Sequence, residues 1–184
     1  MKTLYAATVL AIGLVISPLA TTSVLAHDSM QSSPDSEKAP YDAQFLDTMV
    51  KHHQEALDMS QMALDKAQSA EVKSLAQRII DDQKKEIDEL KTMRERVDTS
   101  APEAINMKLP GMIPMNMKKL KSASGKNFDH MFLDMMLTHH KGALKMSRAE
   151  LKQGNSFEAQ SKAQTIIDKQ TKEIAEMKQM RANL

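Results

Sequence analysis

Apolar residues recur at spacings of three and four along most of this chain, and no segment alternates apolar and polar positions as a strand would. Phe45, Met49, His52, Ala56, Met59 and Ala63 mark the stripe of one predicted helix. The pattern breaks near Gln68-Ser69-Ala70. A second stripe follows through Val72, Leu75, Ala76, Ile79, Ile80, Ile87, Leu90 and Met93. Pro40 suits the first turn of the first helix, because its missing N–H would have no intrahelical partner there.

The same hairpin is written twice. Phe45-Leu46-Asp47 and Met49 to His53 align with Phe132-Leu133-Asp134 and Met136 to His140 at an offset of 87 residues, His52 to His139. The offset holds without a gap from Asp42/Asp129 to Arg94/Arg181. It pairs Met59-Ser60 with Met146-Ser147, Gln83 with Gln170, and Lys85-Glu86-Ile87 with Lys172-Glu173-Ile174. The second unit breaks at Gly154-Asn155-Ser156, where Gly154 is a good helix C-cap and Asn155 with Glu158 resembles a capping box. Two hairpins with one apolar stripe each bury those stripes by packing together. The expectation is an all-α fold, a four-helix bundle of two duplicated helical hairpins with pseudo-twofold symmetry.

The hairpin repeats are expected over 40–97 and 126–184, with a linker from about Asp98 to Gly125. Pro102, Pro110 and Pro114 bar a continuous helix in that linker. It holds Met107, Met112, Met115 and Met117, an unusual density of thioethers for a loop.

The N-terminus reads differently. Lys2 precedes an apolar run from Leu4 to Leu19, and small residues lead to Ala26. This is the pattern of a secretory signal peptide, residues 1–26, cleaved after Ala26. The run is short for a membrane span, so no stable membrane insertion is expected after cleavage. Residues 27–39 are polar and Ser/Pro-rich and read as a flexible segment. The location expected is periplasmic or secreted.

Charge excludes one class of partner. The chain has 25 Lys and Arg against 24 Asp and Glu, and the leader removes one of the basic residues. An even balance gives no basic face for nucleic acid. No cysteine is present, so the fold stands without disulfides. Aromatics are 3% of the chain, which argues against a core held by large aromatic anchors, whereas there are 16 methionines.

Histidine and methionine together suggest the chemistry. Adjacent residues on a helix point about 100° apart, so the two imidazoles of one His-His pair rarely reach one ion, whereas i,i+3 and i,i+4 neighbours share a face. Met49 lies three before His52 and four before His53; Met136 stands likewise to His139 and His140, and Met135 lies four before His139. A thioether beside an imidazole suits Cu(I) or, by chemical similarity, Ag(I). Met59 and Met146 lie about 10 Å along the helix from His52 and His139, too far to complete the same site on their own helix. Their ordinary role is core packing. The linker methionines are a second candidate, able to wrap a Cu(I) ion; the ordinary reading is an apolar flap. His27, N-terminal after cleavage, could chelate a divalent ion. Glu86 and Glu173 are ordinarily exposed charges paired with lysines; the alternative is that each accepts an imidazole N–H.

His52-His53-Gln54-Glu55-Ala56-Leu57-Asp58-Met59-Ser60 and His139-His140-Lys141-Gly142-Ala143-Leu144-Lys145-Met146-Ser147 resemble the His-His-x-x-Ala-x-x-Met signature of the domain-of-unknown-function 305 family. Gln83-x-x-Glu86-Ile87 and Gln170-x-x-Glu173-Ile174 are similar to its downstream motif. The resemblance covers nearly the whole mature chain. It implies a ferritin-like helical fold and, from exported members of the CopM type, copper binding that contributes to copper tolerance. Carried to matching positions, it implicates Met49, His52, His53, Met59, Met136, His139, His140 and Met146.

The expected function is therefore a periplasmic protein that binds copper for sequestration, transfer or tolerance, with a copper export or chaperone protein as delivery partner and no catalysed reaction. A ferritin-like di-metal oxidoreductase is the alternative, but such bundles use Glu-x-x-His pairs and this chain has none. A helical stress or partner-binding protein is a third class, which leaves the histidines without a role.

Overall fold

The computed structural model describes residues 31–97 and 102–184. The expected signal peptide, its cleavage after Ala26, His27 and the start of the linker at Asp98 lie outside the described residues.

The described residues fold as helices and contain no strand. A short 3-10 turn, Ser36–Lys38, precedes α1 (Tyr41–Lys66) and α2 (Ala70–Val97). The linker carries a third helix, α3 (Met117–Ser122), followed by α4 (Gly125–Gln153) and α5 (Phe157–Asn183). The described part of the linker is non-helical from Pro102 to Pro114; beyond the prolines Asn116 accepts a hydrogen bond from Lys119 N (3.0 Å) and starts the six-residue α3. α1 packs along α2 and α4 along α5, and the two hairpins meet chiefly along α1 and α4.

The repeat is joined by reciprocal caps. Asp42, in the first turn of α1, accepts the backbone N–H groups of Asn155 (3.0 Å) and Ser156 (2.8 Å) before α5. Its equivalent Asp129, near the start of α4, accepts those of Gln68 (3.0 Å) and Ser69 (2.8 Å) before α2. Each carboxylate thus satisfies open N–H groups at a helix start in the other hairpin, where the dipole favours negative charge. These contacts also make α1 and α4 antiparallel. The N-cap of α5 is Ser156, whose side chain accepts from Ala159 N (3.3 Å), and not the expected Asn155. Gly154 has an ordinary φ of −71°, so its value is not a left-handed C-cap. An added Cβ would lie 2.2 Å from Glu150 Oε1 and 2.8 Å from Asp42 Oδ1. Glycine makes room there for a buried carboxyl pair that the first unit, with Ala63 and Ala67 at those positions, does not have.

Three of the four phenylalanines, Phe45, Phe128 and Phe132, are fully buried. Aromatics are few but they do anchor the core, contrary to the compositional expectation. Two large apolar clusters form. One gathers Met59, Leu75, Ile79, Phe128, Phe132 and Met136; the other gathers Phe45, Leu46, Met49, Leu90, Met112 and Met146. The described part of the N-terminal segment is tied to the linker: Ser33 N donates to Ile105 O (2.8 Å) and Met107 N to Ser32 Oγ (3.0 Å).

Candidate metal centre

All four paired histidines are buried, none more than 1% exposed. His52 comes from α1 and His139 from α4. Their rings stack across the junction of the hairpins, with centroids 3.6 Å apart and planes 29° apart. Neither nitrogen of either ring has a hydrogen-bond partner. Buried polar groups are normally satisfied, and four orphaned imidazole nitrogens at one place call for an explanation. Burial pushes both imidazoles well below the ordinary histidine pKa, and the neighbouring imidazoles add to that. Both are therefore neutral with lone pairs free, the form in which imidazole binds a metal.

The second histidine of each pair points elsewhere. The ring centroids within each pair stand 6.3 Å apart, as helical geometry requires. His53 Nε2 bonds Glu86 Oε2 at 2.8 Å, and His140 Nε2 bonds Glu173 Oε2 at 2.7 Å. The expectation that these glutamates are ordinary exposed charges is corrected: Glu86 is 5% exposed and orients an imidazole. Burial alone would raise Glu86, but the bond to His53 and the charges of Lys162 and Lys169 hold it at about 2. His53 is lowered from the ordinary value, first by burial. An ionised carboxylate accepting from a neutral ring puts the proton on Nε2 and leaves Nδ1 as a lone pair. Nδ1 of His53 and of His140 has no partner.

The thioethers divide in a way the sequence did not indicate. Met49, Met59, Met136 and Met146 are all fully buried. Met49 shares its cluster with Met146 of the other unit, and Met59 shares its cluster with Met136. Antiparallel packing of α1 on α4 pairs the methionine before one His with the methionine beyond the other. The linker methionines do not form one group: Met107 and Met112 join the Met49 cluster, and Met115 and Met117 the Met59 cluster. Met135 is partly buried against the latter.

Glu55 is the site residue that sequence reasoning missed. It is buried, its Oε2 lies 3.7 Å from His139 Nε2, and burial raises its pKa to about 7. Its signal was its place in the repeat, where the second unit has Gly142. Among the described residues, no three His, Cys, Asp or Glu side chains are placed to hold a metal ion together.

The family model for the domain of unknown function DUF305 matches residues 42–181. The chain belongs to this family. Solved structures of CopM in Ag-bound and Cu(I)-bound forms are each 35% identical to it, with a TM-score of 0.66 over 77% of this chain and 96% of theirs. CopM in a Cu(II)-bound form is 37% identical, with a TM-score of 0.67 over the same shares. A DUF305 protein of Streptomyces coelicolor, described as secreted, is 26% identical with a TM-score of 0.70, covering 78% of this chain and 92% of that one. No curated protein matches the chain. Among the described residues, no helix of this DUF305 protein is long and apolar enough to cross a membrane.

Proposed function

We propose that this DUF305 protein is an exported copper-binding protein that sequesters or hands on Cu(I), with Ag(I) as a chemical surrogate, and that it catalyses no reaction. The observation that carries the reading is the stacked His52–His139 pair, buried and without a partner on any of its four ring nitrogens. A bundle selected only for stability would favour apolar residues there, because an unsatisfied buried polar group costs about 1–3 kcal/mol. The pair itself offers imidazole nitrogen, Glu55 stands 3.7 Å from His139 Nε2, and Met49 and Met136 lie one turn before their histidines on the same helices; imidazole with thioether suits a soft monovalent ion. The likeness to CopM, whose structures hold copper and silver, supports the same reading. The signal-peptide pattern at residues 1–26 supports export; the partner we propose for transfer is a copper export or chaperone protein.

A competition titration tests the reading. Purified apo protein should take Cu(I) in preference to Zn(II), which favours imidazole, thiolate and carboxylate. Preferential uptake of Zn(II) overturns it.

A further inference from the structure

The two large apolar clusters are separated by a polar layer between α2 and α5. On α2 the first cluster takes Val72, Leu75, Ala76 and Ile79, and the second begins at Leu90; on α5 the second takes Ala159, Ala163 and Ile166, and the first resumes at Ile174 and Met177. Between them stand Gln83 and Glu86 on α2 and Gln170 on α5, all buried. Gln83 and Gln170 are equivalent in the repeat, 87 residues apart. Ion pairs set their register: Lys169 reaches Asp82 (3.2 Å) and Glu86 (3.1 Å), so the adjacent Gln170 lies level with Gln83 across the α2–α5 seam. Neither amide has a hydrogen-bond partner on its oxygen or its nitrogen. A side-chain amide brings two donors and two acceptor lone pairs, and burying it unpaired is costly.

The two seams between the hairpins are covered differently. The linker lies over α1 and α4 at the histidines: a Cβ on Gly142 would stand 2.3 Å from Gly111 O and 3.3 Å from His52 Nε2, and Gly111 has φ +94°, which other residues rarely adopt. Over α2 and α5 the cover is charged side chains. Lys162, 6% exposed, bonds Glu89 at 2.6 Å, and Lys169 bridges Asp82 and Glu86. Glu86 in turn bonds His53 Nε2 at 2.8 Å. Polar groups therefore run without a break from the half-exposed Asp82 through Lys169 and Glu86 to His53, beside the two unpartnered amides.

We propose that Gln83 and Gln170 bind ordered water between α2 and α5, and that this hydrated seam is the route by which a small cation reaches the paired histidines. The route rests on the copper-binding reading; the water site does not. A buried polar place that offers several donors and acceptors holds water, whereas an apolar one stays dry. An ion moving along the seam exchanges its hydration shell for amide oxygens and bound water, and so avoids apolar packing, where an unpaired charge is expensive. The lysine bridges join the two hairpins over this layer and close it; release of Lys169 from Asp82 and Glu86 opens it.

The test uses the whole apo protein with 15N-labelled glutamine, and then Ag(I), which does not change oxidation state. The side-chain N–H groups of Gln83 and Gln170, assigned with single Gln→Leu variants, should show contacts to long-lived water. In stopped-flow mixing, the Gln83→Leu, Gln170→Leu double variant should take up Ag(I) at least about tenfold more slowly than the wild type, with its equilibrium affinity kept. Lys169→Ala should speed uptake and release by similar factors, a change in rates without a change in affinity that loss of a merely structural bridge does not produce. If the double variant does not fold, the water contacts and the Lys169→Ala rates decide. Amides without water contacts overturn the water site, and unchanged uptake rates overturn the route. Lower affinity at an unchanged uptake rate would put the glutamines on the ion itself and also overturns the route. A wild type that binds no Ag(I) overturns the copper reading and the route together, while the water contacts of the apo protein stand apart from both.

Discussion

His52 of α1 and His139 of α4 meet ring to ring, 3.6 Å between centroids, at the place where the two halves of a duplicated chain pack against each other. Two neutral imidazoles with four unpartnered nitrogens are a poor way to fill a core. Replacing both with leucine should therefore stabilise the apo protein, by about 1–3 kcal/mol, as orphaned polar groups give way to apolar ones. For a chain of this size that is a rise of roughly 2–10 °C in melting temperature. The same double variant should lose the stabilisation that Cu(I) or Ag(I) gives the wild type. Parallel thermal melts with and without Ag(I) read both effects; a destabilised double variant that still responds to silver would assign the pair to packing.

The acid response follows from the same pair. His52, His53 and His139 titrate below the ordinary value in the folded protein, so the unfolded chain binds protons first. Their contribution to stability is present above about pH 6.5 and is lost as pH falls towards the folded values. Glu55, raised to about 7, works with the opposite sign between its ordinary value and 7. The comparison of wild type with the His52→Leu, His139→Leu variant isolates the histidine share. Between pH 7.5 and 5.5 the wild type should lose more stability than the variant. Equal losses in urea melts would contradict this.

Glu150 predicts an alkaline response. It is fully buried; burial first, and then a hydrogen bond to the adjacent Asp42 and the charge of that carboxylate, raise its pKa to about 8. The folded state holds this proton where the unfolded state has released it. The resulting stability is complete below about pH 4.5 and is lost as pH rises through 8. Glu150→Gln, which carries a fixed donor beside Asp42, should flatten that decline. Urea midpoints at pH 6 and pH 9 measure it, and an unchanged slope in the variant would show that Glu150 is not protonated.

The reciprocal caps should be additive. Asp42→Ala and Asp129→Ala each remove a carboxylate from the open N–H groups before a helix of the other hairpin, at opposite ends of the antiparallel α1–α4 pair. Each should cost about 0.5–2 kcal/mol, and the double variant close to the sum, since distant sites seldom couple. Asp42→Ala should fall on the lower side, because it also relieves Glu150 of a neighbouring charge. Chemical denaturation of the three variants decides the matter.

The repeat, the helices and the His–Met register could be read from residue spacing, because all of them are local: Phe45 and Phe132, or Met49 and Met136, sit at positions that a period of 3.6 fixes. What escaped depends on contacts between segments far apart in the chain. Asp42 looks like an ordinary first-turn acid until the loop at Asn155 closes over it. Glu86 looks like a surface charge until α2 lies against His53. Met146 looks too distant for a histidine on its own helix; the structure places it in one cluster with Met49 on the facing helix. Gly142 carried a signal within the chain itself, as the one small residue opposite Glu55 in the two copies of the motif, but only the linker packed on it gives that difference a reason.

The central claim is that sulfur and imidazole nitrogen together hold a monovalent copper ion inside this bundle. X-ray absorption at the copper edge of protein loaded with one equivalent of Cu(I) tests it most directly. The account predicts a first shell of mixed scattering, with Cu–S contributions from methionine beside at least one Cu–N from imidazole. It also predicts that His52→Leu removes the nitrogen component of that shell. A shell of nitrogen and oxygen alone, or one that His52→Leu and His139→Leu leave unchanged, would contradict it.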